Sequence, residues 1–200
     1  MKTSLIACAT VFLGSAWSAF AWDFTPQSAV TFVDGPAQRH YSLLNDTRKV
    51  NFRIDGTTKV SGDAGKAEFI FTDLANATLK IALSPLNEKK PAFQGNIPVY
   101  LEAARKLLPE GSTEIIMASE ADNVFPINQW TSHQFVFQYG YFGRPFRTSV
   151  TFLNYSAKDQ WIVVLSAGPN EFEGAGHRTS RLLNTFLETD ASYKAEDAPN

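Results

Sequence analysis

The feature of this sequence that most limits its fold is an uninterrupted apolar run at residues 161–165. A strand with only one covered face alternates apolar and polar residues, and this run has no alternation. It therefore predicts a strand that is covered on both faces and lies centrally in a sheet. Gly168 and Pro169 follow and end the strand.

Several other segments have the patterns of shorter or half-buried strands. Residues 50–54 alternate apolar and polar side chains, and in residues 134–139 Phe135, Phe137 and Tyr139 share one face. Residues 56–65 are rich in turn-forming residues and predict a loop. The predicted strands are residues 29–33, 41–44, 50–54, 67–72, 78–83, 114–118, 134–139, 146–152 and 161–165.

Residues 97–108 have the apolar period of an amphipathic helix. Asn96 is a suitable N-cap, Pro98 fits the first turn, and Glu102 can reach Lys106 one turn later. A second such helix is predicted at residues 172–186, where Asn170 and Glu173 have the spacing of a capping box.

Gly174 and Gly176 lie near the start of this second helix, where each lowers helix stability relative to alanine. Close packing of the helix against the sheet is the expected reason for their presence. An anion-binding turn is the alternative, but the third glycine and the lysine of such motifs are missing, and Glu171 and Glu173 would repel an anion.

Each amphipathic helix needs an apolar surface to cover, and the strands provide one. The sequence therefore predicts an α+β fold, an α/β/α sandwich with a mostly antiparallel sheet and a helix on each face. A single domain is expected over residues 29–188, with residues 22–28 as a lead-in and residues 189–200 as a polar tail.

The order of elements over residues 50–186 resembles the PsbP-like group, which includes the extrinsic photosystem II protein and the Ran-binding protein of the Mog type. At the level of amino-acid sequence, the resemblance is confined to WIVVLSA at residues 161–167, FE at residues 172–173 and LLNTF at residues 182–186. The resemblance implies an α/β/α sandwich and an accessory or assembly role, and it assigns no catalytic residue.

Residues 1–21 have the pattern of a secretory signal, with Lys2 before a short apolar stretch and with Ala19 and Ala21 at the positions that signal peptidase reads. Cleavage after Ala21 would remove Cys8, the one cysteine, so the mature chain would form no disulfide. The letters before Cys8 also match a lipobox, but too few apolar residues precede it. We expect an exported protein, periplasmic or secreted, that does not span a membrane.

The net charge and the spacing of the histidines give no sign of nucleic-acid binding or of metal binding. A formal net charge of -2 gives no general attraction to nucleic acid. His40, His133 and His177 have no metal-binding spacing, and Ser166 is not in a nucleophile-elbow motif. The sequence therefore predicts no catalytic residue, no metal and no cofactor.

The most unusual segment is residues 139–146, where an expected hairpin turn carries Tyr141, Phe142 and Arg144 instead of polar residues. Rigid aromatic and arginine side chains commonly anchor interfaces, although these rings could instead close the core. A second apolar loop contains Phe125 and Trp130. The two loops would form one groove if they lay at the same end of the sheet.

The leading hypothesis is an exported, non-catalytic binding or accessory protein that engages a protein or envelope component through these aromatic loops. One alternative is a hydrolase with a dispersed site, which requires His133 or His177 against a carboxylate in a polar cleft. Another is a small-ligand carrier, which requires a cavity of several hundred Å³ between helix and sheet.

Overall fold

The computed structural model describes residues 22–31, 38–125 and 130–190, so the predicted signal segment lies outside it. Of the described residues, 52% lie in strands and 13% in helices. The elements are β1 (Asp23–Thr31), β2 (Gln38–Leu44), β3 (Arg48–Phe52), β4 (Thr58–Asp63), β5 (Lys66–Phe71), β6 (Thr78–Leu83), α1 (Ile97–Arg105), β7 (Thr113–Asp122), β8 (Thr131–Tyr141), β9 (Arg144–Asn154), β10 (Gln160–Ala167), α2 (Phe172–Leu183) and β11 (Leu187–Asp190).

The strands form two antiparallel sheets. The small sheet has four strands in the order β1-β2-β3-β11, and the large sheet has seven in the order β4-β5-β6-β10-β9-β8-β7. The apolar run of residues 161–165 lies in β10, which pairs with β6 on one side and β9 on the other. The prediction of a central strand is therefore confirmed.

The two faces of the large sheet are covered differently. Tyr100 and Ala104 of α1 pack on one face against Phe135, Phe137 and other residues of β8, β9 and β10, which together form the smaller core. On the opposite face, α2 and the small sheet together cover the larger core. The predicted α/β/α sandwich with a helix on each face is wrong, because the N-terminal strands pair with one another in a second sheet and the chain is mostly β.

The larger core is built around Trp161, which is fully buried. Its ring stacks on Tyr155 with centroids 4.0 Å apart and meets Trp22 edge-on at 5.0 Å. Trp22 and Phe24 are also buried, although the sequence placed them in a lead-in before the domain. At the other end of the chain, β11 pairs with β3 and extends into the segment that was expected to be a polar tail.

Both predicted helices are present, but their capping differs from expectation. Asn96 is the N-cap of α1, yet its side-chain amide donates to the Ala92 carbonyl at 2.8 Å instead of capping the helix. The predicted contact between Glu102 and Lys106 forms, at 2.8 Å. The capping box of α2 is wrong, because Glu171 is the N-cap and makes no side-chain capping bond. Within the described residues, neither helix is long and apolar enough to cross a membrane.

Glycine has different roles in α2 and in β4. The close packing expected at Gly174 and Gly176 is wrong, because a Cβ atom at either position would meet nothing within 4 Å. Gly62 of β4 does make a close approach, since a Cβ there would lie 2.6 Å from the Lys66 carbonyl oxygen and 2.7 Å from that of Phe24. Residues 56–65 were predicted as a loop, but residues 58–63 form β4, which pairs with β5, and Gly62 leaves room for the β1 backbone beside it.

Candidate functional site

The β8–β9 hairpin ends in a two-residue turn formed by Phe142 and Gly143, with Tyr141 paired to Arg144. Both turn residues have positive φ, 49° for Phe142 and 71° for Gly143, as a type I′ turn requires. Such turns favour Asn-Gly, because asparagine and glycine tolerate the left-handed region. A bulky aromatic residue in this region is an outlier, so Phe142 lowers the stability of its own turn.

The Phe142 side chain gains little from packing in return. It is 87% exposed, and its main contact is an edge-on approach to Tyr141 with ring centroids 4.5 Å apart. Burial of apolar area, the usual reason for a large aromatic side chain, is therefore nearly absent here.

Tyr141 and Arg144 differ from Phe142 in their environments. Tyr141 is half-buried beside the smaller core, and its ring lies 6.2 Å from that of Phe146. It therefore closes the end of the core, the alternative that the sequence left open. Arg144 is exposed, and no described carboxylate forms an ion pair with its guanidinium.

A cavity of about 580 Å³ lies next to this turn and is lined by Arg144 and Arg147 among others. Arg147 Nε donates at 2.9 Å to the Gln138 amide oxygen when that amide is oriented toward it. The Arg147 guanidinium also lies 6.0 Å from the centre of the Phe172 ring. It is thus held in place by neutral groups, and no described acid pairs with it, although Glu114 lines the same cavity.

The edge strand β7 borders the same end of the sheet, since Thr113 pairs with Gly140. Ile115, Ile116 and Met117 are consecutive exposed apolar residues, and Ile116 is 62% exposed. The pairing of β7 with β8 is irregular at two points, a feature that protects an edge against further strand pairing. We define the hairpin surface as Ile116, Phe142, Arg144 and Arg147.

The second predicted aromatic loop lies elsewhere. Phe125 is buried in the larger core, and Trp130 is half-buried with its ring 5.3 Å from that of Tyr155. Trp130 immediately precedes β8 and Phe142 immediately follows it, so at about 3.4 Å per residue the two are roughly 41 Å apart along the strand. The two aromatic loops therefore do not form one groove. Residues 126–129 lie outside the described chain.

His133 meets one of the two conditions for the hydrolase alternative. Its Nδ1 lies 2.6 Å from Asp122 Oδ1, and its Nε2 lies 3.3 Å from Glu120 Oε1. The ring is only 2% exposed and packs on Phe93 and Phe135. This arrangement joins β7 to β8 beneath an apolar cover, and His133 lines none of the five cavities found around the described residues.

The other histidines and Ser166 lie apart from His133. His40 accepts from Arg53 Nε at 3.3 Å, and burial followed by the Arg53 charge lowers the pKa of His40. His177 is exposed on α2. The Ser166 hydroxyl bonds to that of Thr148 at 2.7 Å. Among residues 22–31, 38–125 and 130–190, no group of three or more His, Cys, Asp and Glu side chains is arranged to hold a metal ion.

Ile116 and Arg147 were not predicted as candidate site residues from the sequence. Ile115 to Met117 breaks the alternation of a half-buried strand, and this signal could have suggested an exposed apolar edge. Arg147 gave no such signal, because an arginine on the polar side of a strand is ordinary. The structure shows that it lines the same cavity as Arg144, three residues earlier on β9.

Comparisons with known proteins show no family for this chain. No family model matches it, and no curated protein matches it. Among solved structures, PA94 of Pseudomonas aeruginosa, a protein of unknown function, is 13% identical with a TM-score of 0.43, over 80% of this chain and 96% of its own. LpqN of Mycobacterium tuberculosis, involved in cell envelope biogenesis, is 11% identical with a TM-score of 0.44, over 82% and 91%. Both scores are below 0.5, so neither likeness assigns a function, and the resemblance to the PsbP-like group stays a prediction.

Proposed function

We propose that this chain is an exported, non-catalytic binding protein that engages a protein of the cell envelope through the hairpin surface. The observation that carries the proposal is Phe142, an 87% exposed aromatic residue at a φ of 49°. A residue that weakens its turn and packs on little is explained when its ring is buried in a complex.

The side chains around Phe142 indicate the chemistry of the partner. Ile116 adds exposed apolar area, and Arg144 and Arg147 supply two guanidinium groups that pair with no described acid. Arginine forms two parallel hydrogen bonds with a carboxylate, and its weak hydration favours it at interfaces. The partner is therefore a protein with an apolar pocket for one ring and with acidic residues at the pocket rim.

Export is the second part of the proposal, and the signal-like pattern of residues 1–21 supports it. The mature protein would begin at Trp22, the first residue of the larger core. An envelope partner is then the one the protein would meet after export.

The deciding variant is Phe142→Asn, because asparagine suits the left-handed position. We expect it to stabilise the protein by about 0.5–1 kcal/mol while abolishing partner capture. Residues 22–200 serve as bait for the exported fraction, and captured proteins are compared by mass spectrometry between the wild type and the variant. For each protein that the wild type captures and the variant does not, the affinity for both forms is then measured by titration.

The matched control is Leu187→Asn, which replaces another exposed apolar residue, 64% exposed, on the small sheet. It should leave capture unchanged, whereas Arg144→Glu should weaken it by reversing a charge at the interface. Undiminished capture by the double variant Phe142→Asn/Arg144→Glu would refute the proposal, since stability cannot explain that result.

A further inference from the structure

A groove of about 640 Å³ lies between the end of α1 and the large sheet. Its floor is apolar and consists of Ala82 on β6 with Ile162 and Val164 on β10. The groove exists because α1 ends at Arg105 and packs mainly over β8 and β9, so the β6 side of the same face is left open.

The walls of the groove differ in character. Leu107 and Pro109, which follow α1, form an apolar wall. The opposite wall carries Lys66 and Lys80, which the sheet register places beside the floor: Lys66 pairs with Ala82, and Lys80 pairs with Val164. A ligand in this groove would therefore contact alkyl groups along its length and ammonium groups along one side.

The charge of the groove is unbalanced toward the positive. Asp63 is the one acid among the residues that line it, and its Oδ1 accepts the backbone N–H groups of Gly65 at 2.8 Å and Lys66 at 3.1 Å. Lys80 lies 3.9 Å from Glu68, at the limit of an ion pair. No described acid pairs with Lys66. The Lys66 ammonium is thus the group most available to an anion.

We propose that this groove binds a single-chain fatty acid, with the alkyl chain over Ile162 and Val164 and the carboxylate on Lys66. The volume falls within the range of about 300–1,000 Å³ that is usual for small-molecule sites. The apolar floor selects an alkyl chain, and the lysine wall selects an anionic head group over a cationic one. This site is separate from the hairpin surface, and Tyr141 lies next to both.

The test is a calorimetric titration of residues 22–200 with laurate below its micelle concentration. We expect saturable binding of one laurate per chain. Dodecyltrimethylammonium has the same tail and a cationic head, and hexanoate has the same head and a short tail, so both should bind at least about tenfold more weakly. Equal binding of laurate and the cationic amphiphile would overturn the proposal, because it would indicate an apolar surface without selectivity for anions.

Two variants place the ligand in the groove. Lys66→Glu should weaken laurate binding at least about tenfold by removing the ion pair and adding a repulsive charge. Ala82→Trp should abolish binding by filling the floor, with circular dichroism used to confirm folding. Lys49→Glu makes the same charge change on the small sheet and should leave the affinity unchanged. Absence of laurate binding to the wild type, or binding that both groove variants retain, would overturn the proposal.

The same titration separates this proposal from the function of the hairpin surface. Phe142→Asn should leave laurate affinity unchanged, because Phe142 is not among the residues that line the groove and is 87% exposed. Loss of laurate binding in this variant alone would place the ligand at the hairpin and refute the groove.

Discussion

Two regions of this protein are rich in aromatic residues, and they use them in opposite ways. Around Trp161 the rings of Trp22, Phe24 and Tyr155 lie edge-on or stacked, and all four residues are buried. At the tip of the β8–β9 hairpin, Phe142 is exposed on a backbone that disfavours it. Aromatic content alone therefore does not distinguish a buried core from an exposed surface, and the proposed binding site rests on the exposure and the unfavourable backbone conformation of Phe142.

The two regions differ in how much free energy the burial of their aromatic side chains contributes to folding. A buried aromatic side chain removes about 150–250 Å² from water, which at roughly 25 cal/mol per Å² stabilises the fold by several kcal/mol. The Trp161 cluster gains this stabilisation even though the Nε1 atoms of Trp161 and Trp22 have no hydrogen-bond partner among the described atoms. Phe142 contributes little of this kind to the free protein, which is why the proposed interaction is placed at its ring.

The largest expected effect comes from replacing one aromatic residue of each region by alanine. Trp161→Ala should destabilise the protein by about 3–5 kcal/mol, because it leaves a cavity between the two sheets. Phe142→Ala should change the unfolding free energy by less than about 0.5 kcal/mol, since it removes little buried area. Urea unfolding followed by far-UV circular dichroism measures both values. Similar losses in the two variants would show that Phe142 is a structural residue.

At Gly62 of β4, the large sheet lies close to the backbone of β1 in the small sheet. Gly62→Ala should destabilise the protein by about 1–3 kcal/mol, because its Cβ would overlap two backbone carbonyl oxygens that cannot move independently. Gly56→Ala is the control, since a Cβ at Gly56 meets nothing within 4 Å. Thermal unfolding of both variants checks the prediction. A tolerated Gly62→Ala would mean that β1 does not pass close to β4 in solution.

Local periodicity was enough to predict the parts of the fold that depend on sequence neighbours. The helices at residues 97–108 and 172–186 have the period of amphipathic helices, and the apolar run at residues 161–165 has the length and the flanking Gly168 and Pro169 of a buried strand. The pairing of β1, β2, β3 and β11 in a second sheet is a tertiary property, and no pattern within a strand specifies its partner. β4 was missed because its glycine, needed for the close approach of β1, has the appearance of a turn residue.

The candidate site was predictable only in part, for a similar reason. The residue types at Tyr141, Phe142 and Arg144 marked the hairpin from the sequence alone, because a turn normally carries polar residues. Which ring projects and which closes the core depends on the turn geometry. The cavity that Arg144 and Arg147 both line, and the position of Trp130 at the other end of β8, are properties of the folded hairpin.

The smallest expected effect concerns the two glycines of α2, which lower the stability of their helix as Phe142 lowers that of its turn. Replacing them tests whether α2 also belongs to the proposed interface. Gly174→Ala and Gly176→Ala should each stabilise the protein by about 0.5–1 kcal/mol, because alanine has the higher helix propensity and neither Cβ meets another atom. Chemical denaturation gives the free energies, and the capture assay gives the function. If the hairpin surface alone binds the partner, both variants gain stability and keep capture. Loss of capture in either would extend the interface onto α2, whose first residue, Phe172, already lies beside Arg147.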